Sequence, residues 1–334
     1  MSKKLNVGIV GATGMVGQTF VKLLEETNFP INELRPFASE GSIGKKIQLF
    51  DRSFDIQVLK KDCFKGLDLV FFSSGDDISK EWAPQAVASG AFAVDNSAAF
   101  RMDDTKVLCV PEINAHLIDK KTPQIIANPN CSTIQLVVAL KPLMDRFGLE
   151  KVVTSTYQAV SGAGQQAYDE LAQQVKSWTQ GQELNVQQFP HQIAFNLIPQ
   201  IGSFLDNGFS SEEMKIIKET KKILGNSQIK VSAMTVRVPV LNAHSEAVWV
   251  TLTQRVALGD ILSALESQKG LVLSKTGYPM PKDCSDKNPV YVGRVHQDMD
   301  DPHTWIFWVV ADNIRKGAAW NGLQIAAHLF DIAI

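Results

Sequence analysis

Cys131 is the residue in this chain of 334 residues best set for chemistry. It lies in ANPNCSTIQLVVALKPLMDRFG, residues 127–148. Pro129 holds the backbone extended just before Asn130 and Cys131. Thr133, Leu136, Val137, Leu140 and Met144 then fall on one helical stripe, Pro142 should kink the helix or shift its register, and Gly148 is placed to cap it. A thiol at a helix start meets unpaired N–H groups and the positive end of the dipole, an environment suited to a thiolate that attacks a carbonyl. Cys63, Cys109 and Cys284 lack such polar flanks and read as small buried hydrophobes.

A thiolate needs a proton partner. Of the six histidines, His244 has the best context, in RVPVLNAHSEAV between two strand-like runs. On spacing alone it reads as a surface loop histidine more readily than as a base. Arg237, in TVRVP, is a charge inside an apolar run. Such an arginine is normally paired or bound to an anion, and its planar fork suits a carboxylate. Ser210 and Glu213 have capping-box spacing, so Glu212 and Lys215 share a helix face, where they read as a surface ion pair.

A second chemical feature opens the chain. LNVGIVGATGMVG, residues 5–17, is a strand-like run, a glycine loop and a helix start, the context of a pyrophosphate site formed by Gly11, Ala12, Thr13, Gly14, Met15, Val16 and Gly17. The spacing is GxxGxxG rather than GxGxxG, which also suits a plain glycine-rich turn. About 20 residues on, where such a fold reads the ribose, stands ASEGSIGKK, residues 38–46. Ser39, Ser42 and Lys45 or Lys46 could hold a 2′-phosphate, meaning NADP; Glu40, next to Gly41, could accept from a free hydroxyl, meaning NAD.

The elements needed to position these groups are legible. LNVGIV, LDLVFFS, AFAVD, VLCV and QIIAN are short apolar runs, and helical patterns at Met15 to Asn28 and Ile78 to Ser89 separate some of them. That alternation predicts a parallel sheet covered by helices. After residue 130, longer strand-like runs at 152–158, 230–238 and 246–252 predict an α+β domain with a mixed or antiparallel sheet. The last segment, 317–334, spaces Trp320, Leu323, Ala327, Phe330 and Ile334 as a one-faced helix expected to pack back on the first domain.

Composition limits the partners. With 33 basic and 35 acidic residues the net charge is −2, which favours no nucleic acid or membrane surface. The four cysteines form no CxxC pair, so no metal is expected and a reducing, cytoplasmic setting fits. The longest apolar run, Trp305 to Ala311, falls far short of the ~20 residues that span a bilayer.

GATGMVG at 11–17, SAAFR at 97–101, NPNCST at 128–133, YQAVSGAG at 157–164, EEMK at 212–215, RVPVLNAHSE at 237–246 and DNIRKGAAWN at 312–321 resemble, in order, the motif set of aspartate-β-semialdehyde dehydrogenases. The resemblance implies an α/β chain with an N-terminal Rossmann-like NADP-binding domain, 1–129 with 315–334. An α+β catalytic and dimerisation domain with a mixed sheet would occupy 130–314, in a homodimer or homotetramer. The implied reaction is NADPH-dependent reductive dephosphorylation of L-4-aspartyl phosphate to L-aspartate 4-semialdehyde through a cysteine thioester, a step in making aspartate-family amino acids.

By the same resemblance Cys131 is the nucleophile, Asn130 helps hold the substrate oxygen, Gln158 orients substrate and His244 is the general acid/base. Arg237 would clamp the α-carboxylate, Glu212 the α-amino group, and Arg101 with Lys215 the phosphate. Ser161 and Gly162 would border the nicotinamide, and Asn321 would reach the cofactor. Glu40 and Gly41 stand where related sequences often carry an arginine, which leaves NAD as an alternative coenzyme. N-acetyl-γ-glutamyl-phosphate reductases share this chemistry, but their PGCYPT-like cysteine region differs from NPNCST. Glyceraldehyde-3-phosphate dehydrogenases share the logic, but their SCTTN-like signature is absent.

Overall fold

LNVGIV forms strand β1 (Leu5–Val10), almost wholly buried, as a continuous apolar run in the middle of a sheet should be. The computed structural model describes residues 4–334, and the chain forms two units. One comprises the chain up to Asn130 together with Ala318–Ile334; the other is Cys131–Gly317.

In the first unit β1 leads to α1 (Met15–Glu26) and β2 (Ile31–Phe37), then to a hairpin of β3 (Lys46–Leu49) and β4 (Arg52–Asp55). β5 (Leu69–Phe72), α2 (Asp76–Ala88), β6 (Phe92–Asp95), β7 (Val107–Leu108), the short α3 (Pro111–Asn114) and β8 (Ile125–Ala127) follow. The six-stranded sheet has the order β2-β1-β5-β6-β8-β7, and every pairing is parallel. Its two faces carry separate cores. One packs α1 and α9 (Trp320–Leu329) on β1 and β5, where Phe20 stacks on Phe71 with centroids 4.1 Å apart. The other packs Ala83 and Ala86 of α2 on Val70 and Phe72.

β2 was not among the apolar runs. Asn32, Glu33, Arg35 and Pro36 interrupt its pattern, which an edge strand tolerates because one side of it pairs with nothing in the sheet. The C-terminal segment also starts differently from expectation. Arg315–Ala319 form one π turn, and the regular helix begins at Trp320.

The second unit begins with α4 (Cys131–Phe147) and β9 (Leu149–Gln158), followed by α5 (Gln165–Thr179), α6 (Ser211–Leu224), β10 (Lys230–Arg237) and β11 (His244–Leu252). α7 (Leu258–Glu266), β12 (Leu271–Leu273), α8 (Pro281–Cys284), β13 (Val290–Gln297) and β14 (Thr304–Ala311) complete it. Its sheet, β10-β9-β11-β14-β13-β12, is mixed, with β9 parallel to β10 and antiparallel to β11. α4, α6 and α7 cover one face. The other face presents exposed Met234 and Trp249, with the ring centroids of Tyr157 and Trp308 5.4 Å apart.

Two expectations change here. α4 is not a one-faced helix: every residue from Ser132 to Leu140 is buried, because sheet and neighbouring helices surround it; Pro142 lies within it. His244 is not in a loop: β11 starts two residues earlier than the apolar pattern suggests and takes His244 as its first residue. Among the described residues no helix is long and apolar enough to cross a membrane.

Gly148 does end α4, at φ +71°, with its N–H on the Met144 carbonyl. A Cβ there would lie 2.3 Å from Thr253 Oγ1. Gly148→Ala combines this overlap with a left-handed backbone, so it should lower the unfolding free energy by about 1–3 kcal/mol. A urea midpoint equal to that of the native protein would show that Thr253 yields freely.

Candidate active site

Strand register builds the site in the second unit. Arg237, the last residue of β10, pairs with Gln158, the last of β9, while His244 opens β11 opposite Ala311. Alternation turns Arg237, Gln158 and His244 to the same helix-covered face, and all three are buried. Cys131 is half-buried at the start of α4.

Ala159, just past β9, holds two of these groups. Its N–H donates to His244 Nδ1 at 3.1 Å, and its carbonyl accepts from Arg237 Nη1 at 2.7 Å. A backbone N–H can only donate, so Nδ1 is the acceptor and the proton of the neutral ring is on Nε2. His244 Nε2 has no partner among the described residues. Burial, and next the Arg237 guanidinium, push the ring well below the ordinary imidazole range, so it is neutral at pH 7. Burial also works against the charge of Arg237, which Glu212 and Cys131 offset.

Glu212 overturns the reading of a surface ion pair. It is paired to Lys215 at 3.2 Å, but its side chain is only 8% exposed, and Oε1 also accepts from Gln158 Nε2 at 3.4 Å. Glu213 completes the capping box with Ser210 and takes the Thr235 N–H as well. α6 therefore turns one acid into the site and uses the other to fasten itself to β10.

Asp312 and Asn313 were not singled out in the sequence. Asp312 accepts from Asn242 Nδ2 at 2.6 Å, and Asn313 Oδ1 accepts the N–H of Ala243, which sits at φ +70°. Asn313 Nδ2 donates to Ser161 Oγ at 3.0 Å. The turn before His244 and the Ser161–Gly162 loop are thus tied to one residue. A Cβ on Gly162 would stand 3.0 Å from both Arg237 Nη1 and His244 Nε2, so an open backbone faces these two side chains.

The first unit holds the dinucleotide loop. Gly11 has φ +82°, and a Cβ on Gly17 would lie 2.3 Å from the Gly11 carbonyl oxygen, so these glycines are demanded by the turn and by close packing. No side chain caps α1 and its first turn has no acid, which leaves its N–H groups to an anion, as a pyrophosphate requires. Ser39, Glu40 and Gly41 are exposed after β2, Ser42 is buried, and Lys46 is paired with Asp55 at 3.2 Å. Arg101 is buried, giving Nε to the Asn128 carbonyl and Nη2 to that of Asn96. Asn321 is also buried and gives Nδ2 to the Cys109 carbonyl and Asn128 Oδ1; the family resemblance alone carries its cofactor role. Among the described residues no cluster of three or more His, Cys, Asp or Glu could hold a metal.

Comparison with known proteins agrees with this division. Residues 6–121 match the semialdehyde dehydrogenase NAD binding domain, and residues 140–316 the semialdehyde dehydrogenase dimerisation domain. The chain is 47% identical to the aspartate-semialdehyde dehydrogenase of Aquifex aeolicus, over 97% of each chain. It belongs to the aspartate-semialdehyde dehydrogenase family. The family is one of oxidoreductases. A Vibrio cholerae member, aspartate semialdehyde dehydrogenase II complexed with ASA, superposes with a TM-score of 0.96 at 41% identity, covering 100% of both chains. The Candida albicans enzyme, solved with NADP, has a TM-score of 0.75 at 26% identity over 98% of both chains.

Two outcomes follow from this geometry. A Cβ on Gly317 would stand 2.7 Å from Cys131 Cβ, so Gly317→Ala should displace the thiol and lower kcat at least ~10-fold in steady-state assays, with normal kcat showing that the π turn absorbs the methyl. The second concerns pH. Unfolded His244 binds a proton below about pH 6.5 and the buried ring does not, so protonation favours unfolding. Native stability relative to His244→Asn should therefore fall by ~1.4 kcal/mol per unit as pH drops below about 6.5, measured by urea unfolding. A constant difference would show that the ring takes up the proton while folded.

Proposed function

We propose that this protein catalyses the NADPH-dependent reductive dephosphorylation of L-4-aspartyl phosphate to L-aspartate 4-semialdehyde. The observation that carries the reading is the arrangement of Arg237, Gln158, Glu212 and His244 around Cys131: opposite charges for an amino acid, a nucleophile and a proton donor.

Cys131 attacks the β-carbonyl, and main-chain N–H groups with Asn130 stabilise the oxyanion. Arg237 holds the α-carboxylate, Glu212 the α-ammonium and Gln158 the reacting carbonyl. Arg101 and Lys215 are the cations for the phosphate, whose departure leaves a thioester on Cys131. The bound dinucleotide supplies the hydride that reduces this thioester. Hydride addition leaves an oxyanion that accepts a hydrogen bond from His244 Nε2–H, and its collapse to the aldehyde expels the Cys131 thiolate; general acid/base action by His244 requires the ring first to move its proton to Nδ1. The ring can take a proton at Nε2 only after giving up its bond to the Ala159 N–H.

The residues for the dinucleotide are Gly11 through Gly17 at the pyrophosphate, Ser161 and Gly162 at the nicotinamide, and Asn321. Ser39, Ser42 and Lys45 support NADP; exposed Glu40 favours NAD. The apolar face with Met234 and Trp249 supports a homodimer through the second unit. The reducing setting implied by a working thiol supports a cytoplasmic enzyme.

Purified protein incubated with L-aspartate 4-semialdehyde and phosphate should reduce NADP faster than NAD, and Cys131→Ala should abolish turnover. No reduction of either coenzyme by folded protein sinks the assignment, and the acetylated glutamyl homologue is then the substrate to try. Arg237→Leu should raise KM if the carboxylate contact is uniform binding and lower kcat if it sets the reacting carbon; no change in either removes Arg237 from the site.

A further inference from the structure

Glu246 has no part in the chemistry above, yet it is fully buried, two residues beyond His244 on the same face of β11. Thr156 lies opposite it on β9 and Val309 on β14, so neither neighbouring strand offers it a cation. From α4 it meets Gln135, also buried, one helical turn beyond Cys131. Neither oxygen of Glu246 nor either polar atom of the Gln135 amide has a hydrogen-bond partner among the described residues. The amide nonetheless lies close enough to act on the carboxyl.

The spacing of the two elements gives this pair a use. Four residues advance a helix by ~6 Å and two residues advance a strand by ~6.8 Å. Cys131 and Gln135 on α4 therefore match His244 and Glu246 on β11 as two rungs of one ladder. The upper rung is the proposed nucleophile and proton donor. The lower rung is an amide and a carboxyl, in a wall that is otherwise threonine and apolar side chains. Directional groups at the lower rung set both the height and the rotation of the first turn of α4, which apolar packing defines less sharply.

We propose that Gln135 and Glu246 are positioning residues, an amide–carboxyl pair that seats α4 on β11 and so holds Cys131 level with His244. The proposal rests on the reading of Cys131 as nucleophile. The ionisable groups of the elements packed around this region include Arg237 of β10, Glu212, Lys215 and the buried Glu219 of α6, the buried Lys316 and the thiol of Cys131. None of them compensates Glu246, and burial pushes its carboxyl well above the ordinary range, with Gln135 opposing. Burial therefore favours the protonated carboxyl. A protonated Glu246 and Gln135 are complementary: the acid O–H can donate to Gln135 Oε1, and the other carboxyl oxygen can accept from Gln135 Nε2.

The test exchanges the partners. Native enzyme, Gln135→Glu, the swapped double variant Gln135→Glu with Glu246→Gln, and Cys131→Ala as background are compared for kcat, KM and the pH midpoint of Cys131 alkylation by iodoacetamide. Gln135→Glu sets acid against acid, so kcat should fall at least ~10-fold with KM held within ~3-fold, and the alkylation midpoint should move. The swap restores one acid and one amide and should return kcat to within ~3-fold of native and the midpoint with it. A swap no better than Gln135→Glu, or a Gln135→Glu enzyme like the native one, overturns the proposal. Should Gln135→Glu not fold, Gln135→Leu decides: a kcat at least ~5-fold lower at unchanged KM supports it, and native kcat and midpoint overturn it. Native protein without turnover would fail the functional reading instead, and the alkylation midpoint, which needs no substrate, would still decide the positioning role.

Discussion

One residue with no functional side chain organises the site. Ala159 donates its N–H to His244 and accepts Arg237 on its carbonyl, so a short stretch of backbone after β9 sets the imidazole and the guanidinium together. Both side chains are buried, and a buried polar group without a partner is costly, so these two bonds are conditions of folding as much as of the geometry of the site. They also decide the chemistry open to the ring. With Nδ1 committed to an N–H, the proton of neutral His244 faces the site on Nε2.

Everything around that point serves to bring Ala159 there. β9 ends beside the ends of β10 and the start of β11, which is possible because β9 is parallel to one and antiparallel to the other. A mixed sheet thus gathers three strand termini at one edge, where side chains leave the ladder and can meet a substrate. α4 points its first turn at this edge from one face, and α6 adds Glu212 while its neighbour Glu213 fastens the helix to β10. Asn313 then ties the Ser161 loop to the turn before His244, so the backbone strain of Ala243 at φ +70° is held by a hydrogen bond to its own N–H.

The first unit solves a different problem, presenting main chain to an anion. Gly11 makes the turn and Gly17 lets α1 lie against it. Its buried polar residues serve the loops. Asp95 takes the hydroxyls of Ser79 and Ser97, and Arg101 reaches the Asn96 and Asn128 carbonyls. Arg101 therefore has a structural duty whatever ligand it also meets. Asn128, in the segment leading to Cys131, is held by Asn321 in turn.

Much of this was legible in the chain. Periodicity separated a parallel sheet from a mixed one because burial on two faces leaves unbroken apolar runs, and the glycine loop announced itself because few other residues can make that turn. Cys131 stood out by its polar flanks and its place before a helix. Residues set by local backbone rules could be read in this way. What sequence could not decide is which polar side chains end inside. Glu212 looked like half of a surface pair and His244 like a loop residue, and Glu246 looked like the polar start of a strand. Their burial depends on strand register and on helices far away in sequence, as does the Nδ1 bond to Ala159, 85 residues from His244. Local pattern determines the elements, but the cost of burying charge is settled only by the neighbours that tertiary structure supplies.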